Sequence, residues 1–504
     1  MFLQAGLILL ISLIWVLLLG ACSETPTAAP NPLAVAAGVG VTATTTTSGN
    51  VATATIPPVS TQAGNTQSGP SVSTEANPGS RPAVLVSPTP VGPDQRVILK
   101  IWTNGWKGNA DYENFLNTTI DSYRTKYAKD FTLDWQDYGN DLATQLSSAI
   151  SKGQAAVPDL VLLNPGDLYQ FAATEKLEDL GPLIGTEAQG RYSIPAWEAL
   201  RYTSGSISGS YGLPWIASTR ISIINKKLWQ LSTLDPAKLP KNFDELDKYL
   251  PLMRDKTPLD VRAVWLHPDP VVDLLMEGTP LYSLNSDGKK EAAFNVLDAQ
   301  SKWQYYLNRR RDGYFSNEAL EGTYKDALAR YSAGKLVMVM DGATLLPDLK
   351  AQNLDLYNNT LVTLHPLSKG NVLPMQIQGW SIPKIASAKN KKEAVQFALY
   401  LDNEENQLTF AKLVKIAIPT TKKGLNDPYV LGNDEPITQA RAIMAQAFPQ
   451  SRPAEQLIPA PIPFATRDKM LNALYIAQGA VWAKSVGPKE AMTEAAKIWI
   501  ELLK

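Results

Sequence analysis

Pro158-Asp159-Leu160-Val161-Leu162-Leu163-Asn164 is the stretch that decides how this chain folds. Its middle is uninterrupted aliphatic, with no polar alternation. A short strand of that kind is buried on both faces, as in parallel sheets covered by helices. Upstream, Arg96-Val97-Ile98-Leu99-Lys100-Ile101-Trp102 alternates polar and apolar residues and is predicted as a strand. Thr103 to Ala110 carries two glycines and reads as a loop. Tyr112 to Ala128 has helical spacing, with Phe115, Ile120 and Tyr123 near one face. Phe131 to Trp135 is predicted as a second strand and Asp141 to Ile150 as a second helix, and a further helix begins at Gly166. Strand–helix–strand–helix–strand marks an α/β sheet. Its ligands are expected at the carboxyl ends of the strands, here Trp102 to Trp106, Asp137 to Asn140, and Asn164 to Asp167.

The two ends of the chain differ in kind. Leu7 to Leu19 is almost wholly apolar and is followed by Gly20-Ala21-Cys22, a secretory pattern. Leu19-Gly20-Ala21-Cys22 resembles the bacterial lipoprotein cleavage box, in which the cysteine becomes the lipidated N-terminus. The first six residues lack the Lys or Arg usual there, and an uncleaved anchor is the rival reading, since Leu3 to Leu19 is near the lower spanning length. Both place the body outside the cytoplasm, tethered to a membrane. Residues 23–94 are dominated by Thr, Ala, Ser, Pro, Gly and Val and hold three charged side chains before Asp94 (Glu24, Glu75, Arg81). Such a segment buries too little apolar surface to offset its backbone entropy, so it is expected to be a disordered stalk.

Composition removes several function classes. Of 504 residues, 47 are Lys or Arg and 48 are Asp or Glu, so no basic footprint for nucleic acid exists. One cysteine and two histidines leave no disulfide scaffold, Cys-rich zinc site or iron–sulfur cluster. His267 and His365 each precede a proline and read as loop residues. Neither a G-x-S-x-G elbow nor H-E-x-x-H occurs. A carboxylate pair for glycoside hydrolysis stays open, with Asp134 and Asp137 as one candidate. No cofactor is called for.

Further motifs appear in a fixed order. Pro158 to Asn164 is followed by Phe171-Ala172-Ala173 and Leu177-Glu178-Asp179-Leu180. Then come Tyr211-Gly212-Leu213-Pro214-Trp215, Asn225-Lys226-Lys227-Leu228-Trp229, and Pro240-Lys241-Asn242-Phe243-Asp244-Glu245-Leu246. Tyr331-Ser332-Ala333-Gly334-Lys335 leads into Leu336 to Gly342, and Gly379-Trp380-Ser381-Ile382, Lys391 to Leu401 and Ile418-Pro419-Thr420 complete the set. Together, over about Arg96 to Lys504, they resemble the family 1 extracellular solute-binding proteins, the sugar-binding lipoprotein components of ATP-binding-cassette importers.

The resemblance implies a two-lobed body with a ligand cleft. Lobe 1 is expected over about 95–208 and 344–410, and lobe 2 over about 209–343 and 411–504. It also implies permease and ATPase partners. A carbohydrate or similar polar solute would be captured by hinge closure and delivered to the permease. Two other functions are weighed beside it: a surface-anchored glycan-degrading enzyme, and a sensing or adhesive surface lipoprotein.

Sugar binding needs buried donors and acceptors matched to hydroxyls, with an aromatic ring against the C–H face. Trp102, Asn104 and Trp106 form the best cluster. Trp102 is either a core residue or a cleft ring, and Trp106 beside glycines is expected to meet the ligand. Asp137 and Asn140 end a strand or simply make a turn at Gly139. Asn164 and Asp167 contact the ligand or cap the next helix. Trp215, at the implied crossover, faces the cleft or packs at the hinge. Arg220 reaches a hydroxyl or pairs with a carboxylate. Trp265 and Glu277 are candidates from the second lobe. Asp341 sits at an implied second crossover. Gly379 permits close backbone approach, and Trp380 offers a ring or fills the core. A phosphate-bearing solute would need a cation in the cleft, and Lys107 and Arg220 keep that open.

Overall fold

The computed structural model describes residues 97–504 except 128–129 and 321. The signal segment, Cys22 and the stalk lie outside the described residues.

Two sheets organise the body. The first begins with β1 (Val97–Thr103), β2 (Phe131–Asp137) and β3 (Leu160–Leu163), joined in parallel through α1 (Ala110–Tyr127) and α2 (Leu142–Lys152). Leu99 and Ile101 are fully buried, and Tyr123 of α1 packs on Phe131 and Phe397. The third strand starts at Leu160, two residues later than the apolar run, because Asp159 does a different job. Its backbone N–H donates to the Lys100 carbonyl at 2.8 Å, and its carboxylate accepts from the Lys100 N–H at 2.9 Å. α3 (Pro165–Ala173) follows, with Asn164 as its N-cap and Pro165 in its first turn.

The chain then adds β4 (Leu213–Thr219) to this sheet and leaves it at once. β5 (Ile221–Asn225), β6 (Arg262–Trp265), β7 (Leu336–Val339) and β8 (Thr360–Leu364) make a separate four-stranded sheet in the order β8-β5-β7-β6. Residues 365–372 carry the chain back to β9 (Leu373–Ser381). With β10 (Ile418–Pro419) the first sheet reads β10-β4-β9-β3-β1-β2, and β11 (Ser451–Arg452) joins β9. Residues 453–463 then cross again to the terminal helices. The sheets define two lobes, so the chain changes lobe at Arg220, at 365–372 and at 453–463.

These crossings correct the expected lobe boundaries at 208/209, 343/344 and 410/411. Strand partners, not motif positions, set the change. β4 and β10 pair inside the first sheet, and β8 pairs inside the second. Asp341 is therefore no crossover, since the chain stays with the second sheet through β8.

The four-stranded sheet is apolar on both sides. Ile223, Leu336 and Val339 join a core continuous with the first lobe, while Ile224, Val337 and Met338 face a second core. On β5 the split follows the alternation of adjacent residues, Ile223 to one core and Ile224 to the other; on β7 the two ends, Leu336 and Val339, join the first core and the middle, Val337 and Met338, the second. That second core is closed by Met470, Leu474, Val481 and Trp482 of the helix Phe464–Trp482.

Candidate functional site

Pairing register locates the edge where the lobes meet. Ile101 pairs with Leu160 and Trp102 with Val161, so Asn104, just past β1, stands level with Leu163. Leu163 pairs in turn with Gly379 of antiparallel β9, so Gln378 stands level with Asn164. β4 runs in the same sense as β3. Asn104, Asn164 and Gln378 thus stand together at the carboxyl ends of β1 and β3, while β4 runs on past them, Thr219 pairing with Met375, before the chain departs to the second lobe at Arg220. The carboxyl ends of the strands are where an open α/β sheet binds its ligands.

Two of these residues carry unmet hydrogen-bonding capacity. Asn104 is 8% exposed and Gln378 2%. The Asn104 Oδ1 and the Gln378 Oε1 are closed from solvent and have no partner. Gln378 sits where the β9–β4 register slips: Ile377 pairs with Ala217 and Gly379 with Pro214, leaving Trp215 and Ile216 opposite it. Such a bulge re-aims side chains at a strand end. A buried carbonyl without a donor costs on the order of 1–3 kcal/mol, so two at one edge are groups waiting for a donor.

The second lobe reaches this edge through residues 453–467. Arg467, in the first turn of the helix Phe464–Trp482, bonds the Asp167 Oδ1 at 2.6 Å with both side chains mostly buried. Asp167 is itself held by Asn164, whose Nδ2 donates to the Asp167 Oδ2 at 2.7 Å and whose Oδ1 caps the Asp167 N–H. Phe171 packs on Phe464 at 5.1 Å. Gln170 donates to the Pro459 carbonyl at 3.1 Å and accepts from the Ile462 N–H at 2.6 Å. Glu455 completes the cluster: burial, with Asp167 nearby, pushes its carboxyl up to about 7.

A second polar group ties the hinge. Arg220 Nε pairs with the Asp341 Oδ2 at 2.9 Å, and the Arg220 carbonyl accepts from the His365 N–H at 3.3 Å. Asp341 adopts φ 59°, a left-handed backbone that side-chain-bearing residues seldom hold, and its Oδ1 has no partner. Burial raises the Asp341 carboxyl to about 6 against the lowering pull of Arg220. His365 is buried beside Arg220 and held neutral, its imidazole pushed down to about 3 chiefly by desolvation. From the second lobe, Asp269 and Asp273 also act on Arg220.

The aromatic candidates are placed elsewhere. Trp106, Trp215 and Trp380 are fully buried. Trp106 stacks on Phe410 at 4.7 Å and meets Trp380 edge-on at 5.7 Å, while Trp215 packs on Phe410 at 5.2 Å. The expectation that these rings face a solute is corrected: they form the first lobe's aromatic core. Gly105, at φ 72°, turns Trp106 inward instead of presenting it. Gly379 needs its missing Cβ for packing too, since a Cβ there would lie 2.3 Å from Leu200 Cδ1. Trp102 is 5% exposed, meets Tyr138 edge-on at 4.6 Å, and lines a recess with Lys100, Asp134 and Gln136.

Asp137 is likewise a structural group. Its carboxylate accepts from the Thr103 hydroxyl and the Trp106 N–H, both at 2.7 Å, and from the Gly105 N–H at 3.0 Å. It therefore holds the 103–107 loop that positions Asn104. Asp134 lies three residues away on the same strand and faces the other side, so the two do not form a hydrolytic pair. Asn140 is exposed on the turn after β2.

Trp265, 4% exposed, packs where a Cβ on Gly322 would lie 2.5 Å from its ring. Glu277 is committed to the Ser368 hydroxyl of the crossing segment and to Lys302 Nζ of the second lobe, the latter at 3.6 Å. Lys107 lies over the Trp135 ring at 5.6 Å. Arg467 and Gln378 were missed by the sequence reading, although two glutamines in the apolar run Leu373 to Ile377-Gln378 were a visible signal.

Comparison with known proteins now bears on this geometry. The family model for bacterial extracellular solute-binding proteins matches residues 118–440, well over half the chain. The chain belongs to this family. The two-lobed architecture agrees with solved members of the same fold. An oligosaccharide periplasmic-binding protein from Synechococcus sp. MITs9220 superposes with a TM-score of 0.65 at 21% identity, covering 80% of this chain and 98% of that one. A solute-binding protein from Thermotoga lettingae TMO, solved with alpha-D-tagatose, gives 0.61 at 20% identity over 81% and 100%. An ABC substrate-binding protein from Listeria monocytogenes in complex with cycloalternan gives 0.60 at 17% identity over 81% and 99%. In this solute-binding protein the Asn104–Gln378 edge is the candidate binding surface. Among the described residues no cluster of metal-ligating side chains occurs, and no helix is long and apolar enough to cross a membrane.

Proposed function

We propose that this protein is the extracellular capture component of an ATP-binding-cassette importer. It takes a carbohydrate between its lobes and hands it to a membrane permease served by an ATPase. The observation that carries the reading is the pair of buried, unpartnered carbonyls of Asn104 and Gln378 at the edge facing the second lobe. Hydroxyl groups supply the donors those carbonyls lack. The sugars in the titles of similar structures, tagatose and cycloalternan, fit the same chemistry. Lipidation at Cys22, with the stalk as spacer, would keep the body beside its permease.

The mechanism is a shift of an open–closed equilibrium. In this structure Arg467 with Asp167, Phe464 with Phe171, and residues 459–462 with Gln170 tie the first lobe to the crossing segment and to the start of the second-lobe helix. A solute bridging both lobes adds contacts that exist only in the closed form, and that difference drives closure.

The test is a thermal-unfolding screen of the full chain against mono-, di- and oligosaccharides, glycerol phosphates and amino acids. A solute at about a thousand times its Kd stabilises the native state by roughly 4 kcal/mol. A raised midpoint with one class of sugar, and no hydrolysis of that sugar, is expected. A response confined to amino acids, or release of sugar products, would contradict the reading.

A further inference from the structure

The β1–β2 pair has one apolar face and one polar face. On β1, Leu99 and Ile101 are fully buried in the core, while Lys100 and Trp102 alternate to the opposite side. Parallel register sets Lys100 beside Asp134 and Trp102 beside Gln136, so these four share one face, with Tyr138 two residues further on. The far wall comes from α2, which contributes Gln145, Ala149 and Lys152 at spacings of four and three, one side of the helix. Between them lies a recess of about 190 Å³. It runs from Tyr138, just past the carboxyl end of β2, to Ala156, ahead of the amino end of β3. It therefore lies along the face of the sheet, apart from the strand ends that carry Asn104 and Gln378.

A seam between a sheet and its neighbouring helix is ordinarily apolar. This one holds ammonium, carboxylate and amide groups, and the fold uses only some of them. Lys100 Nζ donates to the Ala155 carbonyl at 2.6 Å, and the Gln136 Oε1 accepts from the Tyr138 hydroxyl. Among the described residues, no hydrogen bond or ion pair reaches the side chains of Asp134, Gln145 or Lys152. Trp102 is 5% exposed, and its indole N–H is closed from solvent with no acceptor. Trp106, Trp215 and Trp380 also lack acceptors, but their rings lie inside the aromatic core, whereas Trp102 lines an open recess.

The lining offers donors and acceptors together: ammonium, amide and indole N–H on one side of the ledger of chemistry, carboxylate and amide oxygens on the other. Hydroxyl groups both donate and accept, so one polyhydroxyl ring answers all of them. Tyr138, half-buried, offers an aromatic ring to the C–H face of such a molecule. An anion would suit Lys100 and Lys152 but set its charge against Asp134. A recess smaller than the roughly 300–1,000 Å³ of drug-sized sites holds one ring and not a chain.

We propose that this recess is a second solute site on the first lobe, one sugar ring in size and separate from the cleft, with Asp134, Gln145 and the Trp102 indole N–H as its contacts. It goes beyond the cleft reading and does not rest on it.

Hydrogen–deuterium exchange of the full chain tests it, with D-glucose, D-galactose, D-mannose, D-xylose and myo-inositol at millimolar concentration and D-glucuronate as the anionic comparison. Slower exchange over 98–102, 134–138 and 145–152 is expected with at least one neutral ring, and its dose dependence gives a Kd. That Kd is expected to rise at least about tenfold in Trp102→Phe, which keeps a ring and removes the donor, and in Asp134→Ala. Gln145 is exposed, so Gln145→Ala keeps the unfolding midpoint, and a rise of at least about threefold is expected there. No slowing over 134–138 and 145–152 with any neutral ring overturns the site, whatever happens at 103–106 and 376–379 in the cleft. Slowing with glucuronate alone overturns the class of ligand. An unchanged Kd in both Asp134→Ala and Gln145→Ala overturns the assignment of contacts.

Discussion

Trp106→Ala is expected to lower the unfolding free energy by about 3–5 kcal/mol, the range for truncating a large buried aromatic. Trp106 is fully enclosed, stacked on Phe410 and in edge contact with Trp380. Alanine leaves a cavity lined by Tyr112, Phe115, Trp215, Trp380 and Phe410, which are themselves packed and relax little. Below its transition the variant is expected to bind solute within about threefold of the parent, because the ring touches no solute. A sugar-stacking platform would behave in the opposite way, with affinity lost and stability kept. Urea unfolding followed by two probes gives the stability. Two probes are needed because the lobes have partly separate cores and need not unfold as one unit.

The second large effect is expected from Arg467→Met. Its guanidinium and the Asp167 carboxylate are 15% and 13% exposed. With methionine in place, the joined lobes still bury Asp167 but no longer give it a cation. Breaking a buried pair costs about 3–5 kcal/mol when the remaining charge stays buried. Here lobes that part let water back to Asp167, so the penalty falls on the joined form and appears as weaker binding. A loss of about 1.4–3 kcal/mol, tenfold to a hundredfold in Kd, is expected for whichever sugar scores in the screen. Arg467→Met combined with Asp167→Asn should recover part of the loss, which a double-mutant cycle reads directly. Arg467→Lys should recover less than full affinity, since an ammonium does not reproduce the guanidinium's fork geometry.

The strand and helix order of the first lobe was legible because each element carries its own period. The apolar run at Leu160–Leu163 and the alternation over Val97–Trp102 sit close to where the strands form. The lobe boundaries were less legible. Whether β4 or β8 belongs to one sheet or the other is a question of partners, and partners lie more than a hundred residues away. Pro214, for instance, pairs with Gly379.

The site shows the same division. Asn104 could be found because strand ends bind ligands in such sheets. Trp106, Trp215 and Trp380 could not be told from a sugar platform, because a core tryptophan and a binding tryptophan look alike in sequence. What separates them is Phe410, supplied by the helix Glu404–Val414. Asp137 looked like a ligand group for a related reason: its loop-holding role depends on the N–H groups of residues 105 and 106, folded back across from another strand. Arg467 reaches Asp167 from 300 residues downstream, and no local pattern announces it.

The central claim is that solute binds between the lobes at the carboxyl edge of the first sheet. Its most direct test is hydrogen–deuterium exchange of the full chain, with and without the sugar that raises the unfolding midpoint. The second lobe has a rival cavity of about 290 Å³, lined by Phe243, Glu277, Lys302 and Tyr305 among others. Added protection is expected at residues 103–106, 164–167, 376–379 and 459–467. Protection confined to the second-lobe segments around 242–247 and 298–305, with the first-sheet edge unchanged, would contradict the account.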